Sequence, residues 1–482
     1  MYRKEQEYKN QSENKNQSDK WRLHFHLMPP DGWLNDPNGL CWFRSEYHVF
    51  FQYAPGQPEG GLKHWGHYIS KDLIDWEYAG IALSPEEDFE SRGVYSGSAL
   101  VRDGQMHLFY TGNVKLEGDY NYITDGRQGN TILVSSRDGR RFGKKELLMT
   151  NADYPDNLTC HVRDPKVVTG ASLGIMDEKD YMLLGARTRQ EEGEVLLYRS
   201  ANLKDWELAN ILRPDEKFGY MWECPDAFML DETKILSISP QGVERDGIEF
   251  ANLYQSGYYL LDGAFDGEYK LNRFKEWDRG FDFYAPQTFE DGKGRRILIG
   301  WIGMPDVPEV KNPTVEFGWQ NALTVPRQVF LKDGRVMQYP VEELKQLRGE
   351  EERLKPGEAS RELACYDAEI SLHSDENMEI TVSDGLLLSY NKEQKQFSLK
   401  FKADLDLGCG RTERSVRLEH CRSIRMLMDT SCMELYLNGG EEVFTTRFYT
   451  GTGKSWFRME KGEAEIRYFR LAEKLGERES AL

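Results

Sequence analysis

Between residues 47 and 302 the chain repeats one pattern: a short, nearly continuous apolar run followed by a longer polar and turn-rich stretch. The runs cover residues 47–53, 106–111, 181–186, 235–239 and 297–302. Their spacing of roughly 55 to 75 residues suits a four-stranded antiparallel unit with its loops. A second echo follows the first three runs, Ser70 to Trp76, Ser136 to Phe142 and Ser200 to Trp206, each a Ser and an aromatic six residues apart with turn residues between. Strand-rich repeats of this length predict an all-β fold with a five-bladed β-propeller over 21–339. A plain sandwich would not need that period.

Around this pattern lie three other stretches. Residues 1–20 are polar and predict a loose arm with little to bury. Residues 340–362 hold Leu344 and Leu347 among charges and then Lys355-Pro356-Gly357, which predicts a linker with a short amphipathic helix. Residues 363–482 alternate apolar and polar positions and carry a hairpin signal, Asn438-Gly439-Gly440 between two strand patterns, which predicts a C-terminal β-sandwich. Ahead of the repeats, residues 21–30 alternate as a strand would, leading into a turn that runs from Gly32 to Leu40. His24 and His26 would share one face of that strand, and they read as packing histidines because no further ligand residues stand nearby.

The chemistry lies in the phase of the acidic motifs. Asp36-Pro37, Tyr95-Ser96-Gly97-Ser98, Arg163-Asp164-Pro165, Glu223-Cys224-Pro225-Asp226 and Asp282-Phe283-Tyr284-Ala285-Pro286-Gln287 each precede an apolar run by a short segment. In a radial array equivalent positions converge on the central channel, so residues distant in sequence would meet in one funnel. Such a funnel, lined by Trp33, Trp65, Tyr284 and Trp301, suits a carbohydrate, whose hydroxyls need acceptors and whose C–H faces stack on rings. Retaining cleavage of a glycoside needs two carboxyl groups about 5 to 5.5 Å apart, one attacking the anomeric carbon and one protonating the leaving oxygen. Crowding raises the pKa of one of them. Asp36 is assigned as the nucleophile and Glu223 as the acid/base. Asp164, whose neighbour Arg163 favours the ionised form, would accept sugar hydroxyl hydrogen bonds as charge develops; Arg163 reads equally as neutralising a crowded acidic site, and the two roles can coexist. Cys224 reads as a small buried packing residue.

Composition narrows the setting. A net charge of −19 repels phosphate backbones and anionic membranes, so nucleic acid and membrane are excluded as expected partners, and a small saccharide is the expected one. The first twenty residues lack the apolar segment of a signal peptide and no later run is long enough to span a bilayer. The seven cysteines show no paired spacing. A cytoplasmic protein is expected.

Six ordered motifs (Trp33 to Gly39, Phe51-Gln52-Tyr53, Tyr95 to Ser98, Arg163 to Lys166, Met221 to Asp226 and Phe281 to Gln287), with Asp429 to Asn438 further on, resemble the signatures of glycoside hydrolase family 32, the β-fructofuranosidases. Among these the nearest likeness is to the cytosolic bacterial sucrose-6-phosphate hydrolases. The resemblance implies a five-bladed propeller with a β-sandwich and retaining hydrolysis of sucrose, its 6-phosphate or short fructooligosaccharides, with no metal or other cofactor. It carries the nucleophile, transition-state stabiliser and acid/base onto Asp36, Asp164 and Glu223. It makes Asn35, Gln52, Trp65, Ser96, Arg163 and Asp282 expected fructose contacts, joined by Trp301 and by Tyr95, which stands where many members have Phe. A fructosyltransferase with the same first step and a non-catalytic sugar-binding propeller are the alternatives. Lys63, Arg245 and Lys311 are candidates for a phosphate contact that spacing does not separate, and oligomeric state is not readable.

Overall fold

The computed structural model describes residues 19–307, 312–402 and 410–472. Of the expected N-terminal arm, residues 1–18 lie outside that set. Seven antiparallel-rich sheets account for the described strands, five in a ring and two face to face. The innermost strands of the five ring sheets are β1 (Gly32–Phe43), β2 (Val94–Arg102), β3 (Leu158–Thr169), β4 (Met221–Leu230) and β5 (Tyr284–Glu290). Each contacts the next, and β5 returns to β1, which closes a five-bladed propeller. Closure is reinforced where Trp319–Gln320 pairs in parallel with Gly32 and Trp33 of the first blade.

The five apolar runs fall in the second strand of each blade, within Glu46–Ala54, Gln105–Lys115, Asp180–Thr188, Thr233–Gln241 and Arg296–Ile302. A second strand has a neighbour on both edges and a blade packed on each face, so it reads as continuous apolar sequence. The Ser echo is the turn that follows the third strand. Ser70 Oγ accepts from Asp72 N and Leu73 N, and Asp72 Oδ1 accepts from Ile74 N and Asp75 N. Blades two and three repeat this with Ser136 and Asp138 and with Ser200 and Asn202. Leu73 and Leu203 sit at φ 68° and 66°, left-handed values held by these hydrogen bonds, and the equivalent residue of blade two is Gly139.

A two-residue bulge sits at the same place in every innermost strand. Asn35-Asp36, Tyr95-Ser96, Asp164-Pro165, Cys224-Pro225 and Ala285-Pro286 each lie opposite a single residue of the second strand. Asp164, Cys224 and Ala285 adopt φ of 63°, 45° and 49°. A bulge re-aims side chains, and on an edge strand a proline there removes no needed ladder bond. This corrects the expected turn over Gly32 to Leu40: the stretch is an extended strand, and Asp36 occupies its bulge.

Two further expectations change. Residues 21–30 form no strand; they run irregularly between propeller and sandwich, where the backbone N–H groups of His24, Phe25 and His26 donate to the Asp429 carboxylate. The buried His26 ring bridges Asp429 and Glu434, so it is an ion-pair residue. The linker expected at 340–362 contains one 3-10 turn, Glu342–Leu347, and then Arg348–Leu354 joins the sandwich as an edge strand. Its charged sequence suits an exposed sheet edge and hides the strand from a search for apolar alternation.

The sandwich packs a six-stranded sheet on a five-stranded one around a core that includes Tyr366, Ile380, Leu388, Phe397, Met426 and Phe444. The expected hairpin is Cys432–Leu437 paired with Glu442–Arg447. A continuous apolar cluster then joins the sandwich to the propeller, with Leu427, Tyr436 and Val443 against Val341, Leu344 and Phe289.

Candidate active site

The bulges of three blades bring three carboxyl groups together. Asp36 comes from β1, Asp164 from β3 and Glu223 from β4, beside the β4 bulge residue Cys224. The Cys224 thiol lies 3.7 Å from Asp36 Oδ2 and 3.7 Å from Asp164 Oδ2, and its backbone N–H donates to Asp164 Oδ2 at 3.0 Å. The thiol thus fills the space between two carboxylates, more than the packing role expected of it. Close approach of the blades depends on Gly185, where a Cβ would fall 2.2 Å from the Trp222 carbonyl oxygen next to Glu223.

Asp36 is held from both sides. Asn35 Nδ2 donates to Oδ1 at 3.1 Å and Ser96 Oγ to Oδ2 at 2.5 Å. Behind them, Gln52 donates to Ser96 and accepts from Asn35 at 3.1 Å, and Trp33 Nε1 fixes the Asn35 oxygen at 2.9 Å. Asn35, Gln52 and Ser96, expected as sugar contacts, therefore set the rotamer of Asp36.

Glu223 has a different set of partners. Arg163 donates to Oε1 through Nη2 at 2.6 Å and Nε at 3.0 Å, while Tyr284 Oη and Gln241 Nε2 donate to Oε2 at 2.7 and 2.8 Å. The Arg163 guanidinium pairs chiefly with Glu223 and stands with its Nε 4.0 Å from Asp164, so it acts on both carboxyl groups. Asp164 Oδ1 takes no hydrogen bond from a described residue, which leaves that oxygen for a ligand hydroxyl.

Among the described residues Arg163 alone forms ion pairs with these carboxyl groups, and one guanidinium does not balance three of them. Burial pushes the Asp36 pKa up, and Glu223 adds to that against the hydrogen bonds of Ser96 and Asn35. Burial likewise raises Asp164, with Glu223 and Asp36 adding to it, and Arg163 offsets only part. The Tyr284 hydroxyl, buried against Glu223, is held well above its ordinary value and keeps its proton.

The remaining expected contacts divide. Trp301 and Trp33 form an aromatic wall, with ring centroids 6.1 Å apart, and Trp301 meets Tyr284 edge-on. Trp65 is fully buried and its indole N–H donates to the Tyr95 carbonyl, so it supports the β2 bulge. Tyr95 itself is partly exposed. Asp282 is buried at the junction with the sandwich, bound by Arg447 and Arg411, and does not join the three carboxyl groups. Its motif shares the repeat's phase, but Asp282 stands before the β5 bulge, whereas Asp36 and Asp164 stand within theirs. Gln241 and His161, whose Nδ1 accepts from Arg163 Nη1 at 2.5 Å, were not foreseen; neither carries a sequence signal, because each is placed by strand pairing alone.

The two halves of the chain match two family descriptions, the glycosyl hydrolases family 32 N-terminal domain over residues 26–340 and the family 32 C-terminal domain over 343–471. The chain belongs to glycoside hydrolase family 32. Among relatives of this family 32 protein, a sucrose-6-phosphate hydrolase of Bacillus subtilis is 38% identical over 455 residues, covering 90% of each chain. A raffinose invertase of Escherichia coli is 35% identical over 445 residues, covering 89% of this chain and 90% of its own. The solved sucrose-6-phosphate hydrolase of Lactobacillus gasseri superposes with a TM-score of 0.85 at 26% identity, covering 95% of both chains. A Bombyx mori family 32 β-fructofuranosidase, solved as a mutant with sucrose, gives 0.83 at 31% identity and 97% coverage of both.

Proposed function

We propose that this family 32 protein hydrolyses the β-fructofuranosyl bond of sucrose and sucrose 6-phosphate with retention of configuration. The observation that carries the reading is the convergence of Asp36, Asp164 and Glu223 from three blades around Cys224. A carboxylate oxygen of Asp36, oriented by Asn35 and Ser96, attacks the fructosyl anomeric carbon as Glu223 gives its proton to the glycosidic oxygen, and glucose or its phosphate leaves. Glu223 then takes a proton from water, which displaces Asp36 and releases fructose. Asp164 accepts hydrogen bonds from fructosyl hydroxyls, which tighten as positive charge grows at the anomeric carbon.

A cytoplasmic setting fits the six described cysteines, all unpaired, and no helix among the described residues is long and apolar enough to cross a membrane. The test is fructose release from sucrose with the first-formed anomer followed by NMR. Retention and a fructosyl group trapped on Asp36 are expected. Inversion, or oligosaccharide products dominating at high sucrose, would replace this reading with a single displacement or with a transferase.

A further inference from the structure

Near Arg163 and Glu223 lie two arginines and a neutral histidine that the hydrolytic steps do not use. Arg127 opens the strand Arg127–Ser136 of the second blade, His161 precedes the bulge in β3, and Arg187 lies in the adjoining strand Asp180–Thr188. His161 is tied to Arg163 at 2.5 Å, and Arg187 lies 4.5 Å over the Tyr220 ring while pairing with Glu191. The Nε atoms of both Arg127 and Arg187 are buried without a hydrogen-bond partner among the described residues. Arg127 forms no ion pair with any of them. Burial, with Arg163 adding to it, pushes the Arg127 guanidinium below its usual range, and the same two causes depress His161 to about 2 and keep it neutral.

A partly buried guanidinium whose Nε has no hydrogen-bond partner and that forms no ion pair with a described residue is unfavourable even in a chain of net charge −19, and an arriving anion would relieve it. Position identifies which part of the substrate carries the anion. The proton donor stands against the leaving sugar, so cations that flank Glu223 face the glucosyl side. The charged groups that act on Arg127 are Arg163 and Glu223, whereas Lys63 lies 4.9 Å over the Trp33 ring and is acted on by Asp36, on the fructosyl side. Of the other two candidates, Arg245 is exposed and bonded to the Gly247 carbonyl, and Lys311 lies outside the described residues.

Resting on the hydrolase reading above, we propose that Arg127, with Arg187 and His161 beside it, receives the 6-phosphate of the leaving glucose and makes sucrose 6-phosphate the preferred substrate. Guanidinium suits this role because its fixed fork of donors matches phosphate oxygens.

The decisive quantity is the ratio of kcat/KM for sucrose 6-phosphate to that for sucrose, because damage to Arg163 or Glu223 lowers both. The ratio should exceed one in the wild type and fall by about 10- to 100-fold in Arg127→Gln, with partial recovery in Arg127→Lys. Lys63→Gln should leave it within about threefold. Where Arg127→Gln fails to fold, as judged by Tm, Arg187→Gln gives the same reading with a smaller fall. Glucose 6-phosphate should inhibit the wild type more strongly than glucose or inorganic phosphate, and lose that advantage in Arg127→Gln. An unchanged ratio, a fall only in Lys63→Gln, or inorganic phosphate inhibiting as strongly as glucose 6-phosphate overturns the proposal. A wild type that cleaves both substrates equally overturns it while the hydrolase reading stands; fructose released from neither overturns the hydrolase reading itself.

Discussion

Two regions of the molecule bury carboxyl groups, and they treat them in opposite ways. At the mouth formed by the bulges, the group of Asp36, Asp164 and Glu223 has one ion-pair partner among the described residues, Arg163, and the pKa values of Asp36 and Asp164 rise. At the junction of propeller and sandwich, Glu434 is bound by Arg327 and His26, Asp278 by Arg327, and Asp282 by Arg447 and Arg411. Burial opposes ionisation there too, yet Arg327 and His26 hold Glu434 down at about 2, and Arg447 and Arg411 hold Asp282 below its usual range. Burial is similar in both places; the number of facing cations decides the sign. Excess negative charge makes a carboxyl group reactive, and matched charge makes it a fastener.

The widest separation between the regions should come from truncating each. Asp36→Ala and Glu223→Ala should lower fructose release by the folded protein by about 10²- to 10⁴-fold, with Asp36 at the upper end. Near-normal turnover in either would end the assignment. Arg327→Met should do the reverse, costing about 3–5 kcal/mol in urea denaturation because Glu434 and Asp278 are left buried and unpaired, with the activity of the folded fraction retained. Loss of activity without loss of stability would merge the two regions.

Acid should also distinguish them. Glu434 has a depressed pKa in the folded state, so its contribution is complete above the ordinary value of 4.5 and is lost as pH falls toward about 2. Denaturation midpoints should drop across that window, and Arg327→Met should flatten the drop. The smallest effect belongs to Asp164. Its raised folded-state pKa means the native carboxylate destabilises the fold above the unfolded value of 3.8, so Asp164→Asn should stabilise the protein by about 0.5–2 kcal/mol at pH 7 while activity falls. That gain should shrink as pH approaches 4. A destabilised Asp164→Asn would mean Arg163 neutralises it after all.

Much of this was legible along the chain. The five apolar runs and their spacing determined the number of blades, because a strand covered on both edges and both faces admits few polar residues. The acid-Pro motifs marked the bulges, because proline and left-handed residues on an inner strand fit few other places. Arg348–Leu354 escaped notice because an exposed edge strand is free to be fully charged. Asp282 lies at the sandwich junction because a motif fixes where along a blade a residue stands but not which way its side chain points. Only the tertiary structure decided that Arg163 serves Glu223, that Cys224 stands between Asp36 and Asp164, and that Arg127 forms no ion pair with a described residue. Those facts depend on distances between blades, which arise from packing across sequence separations of 60 residues or more, as between Arg163 and Glu223, and leave no local pattern to read.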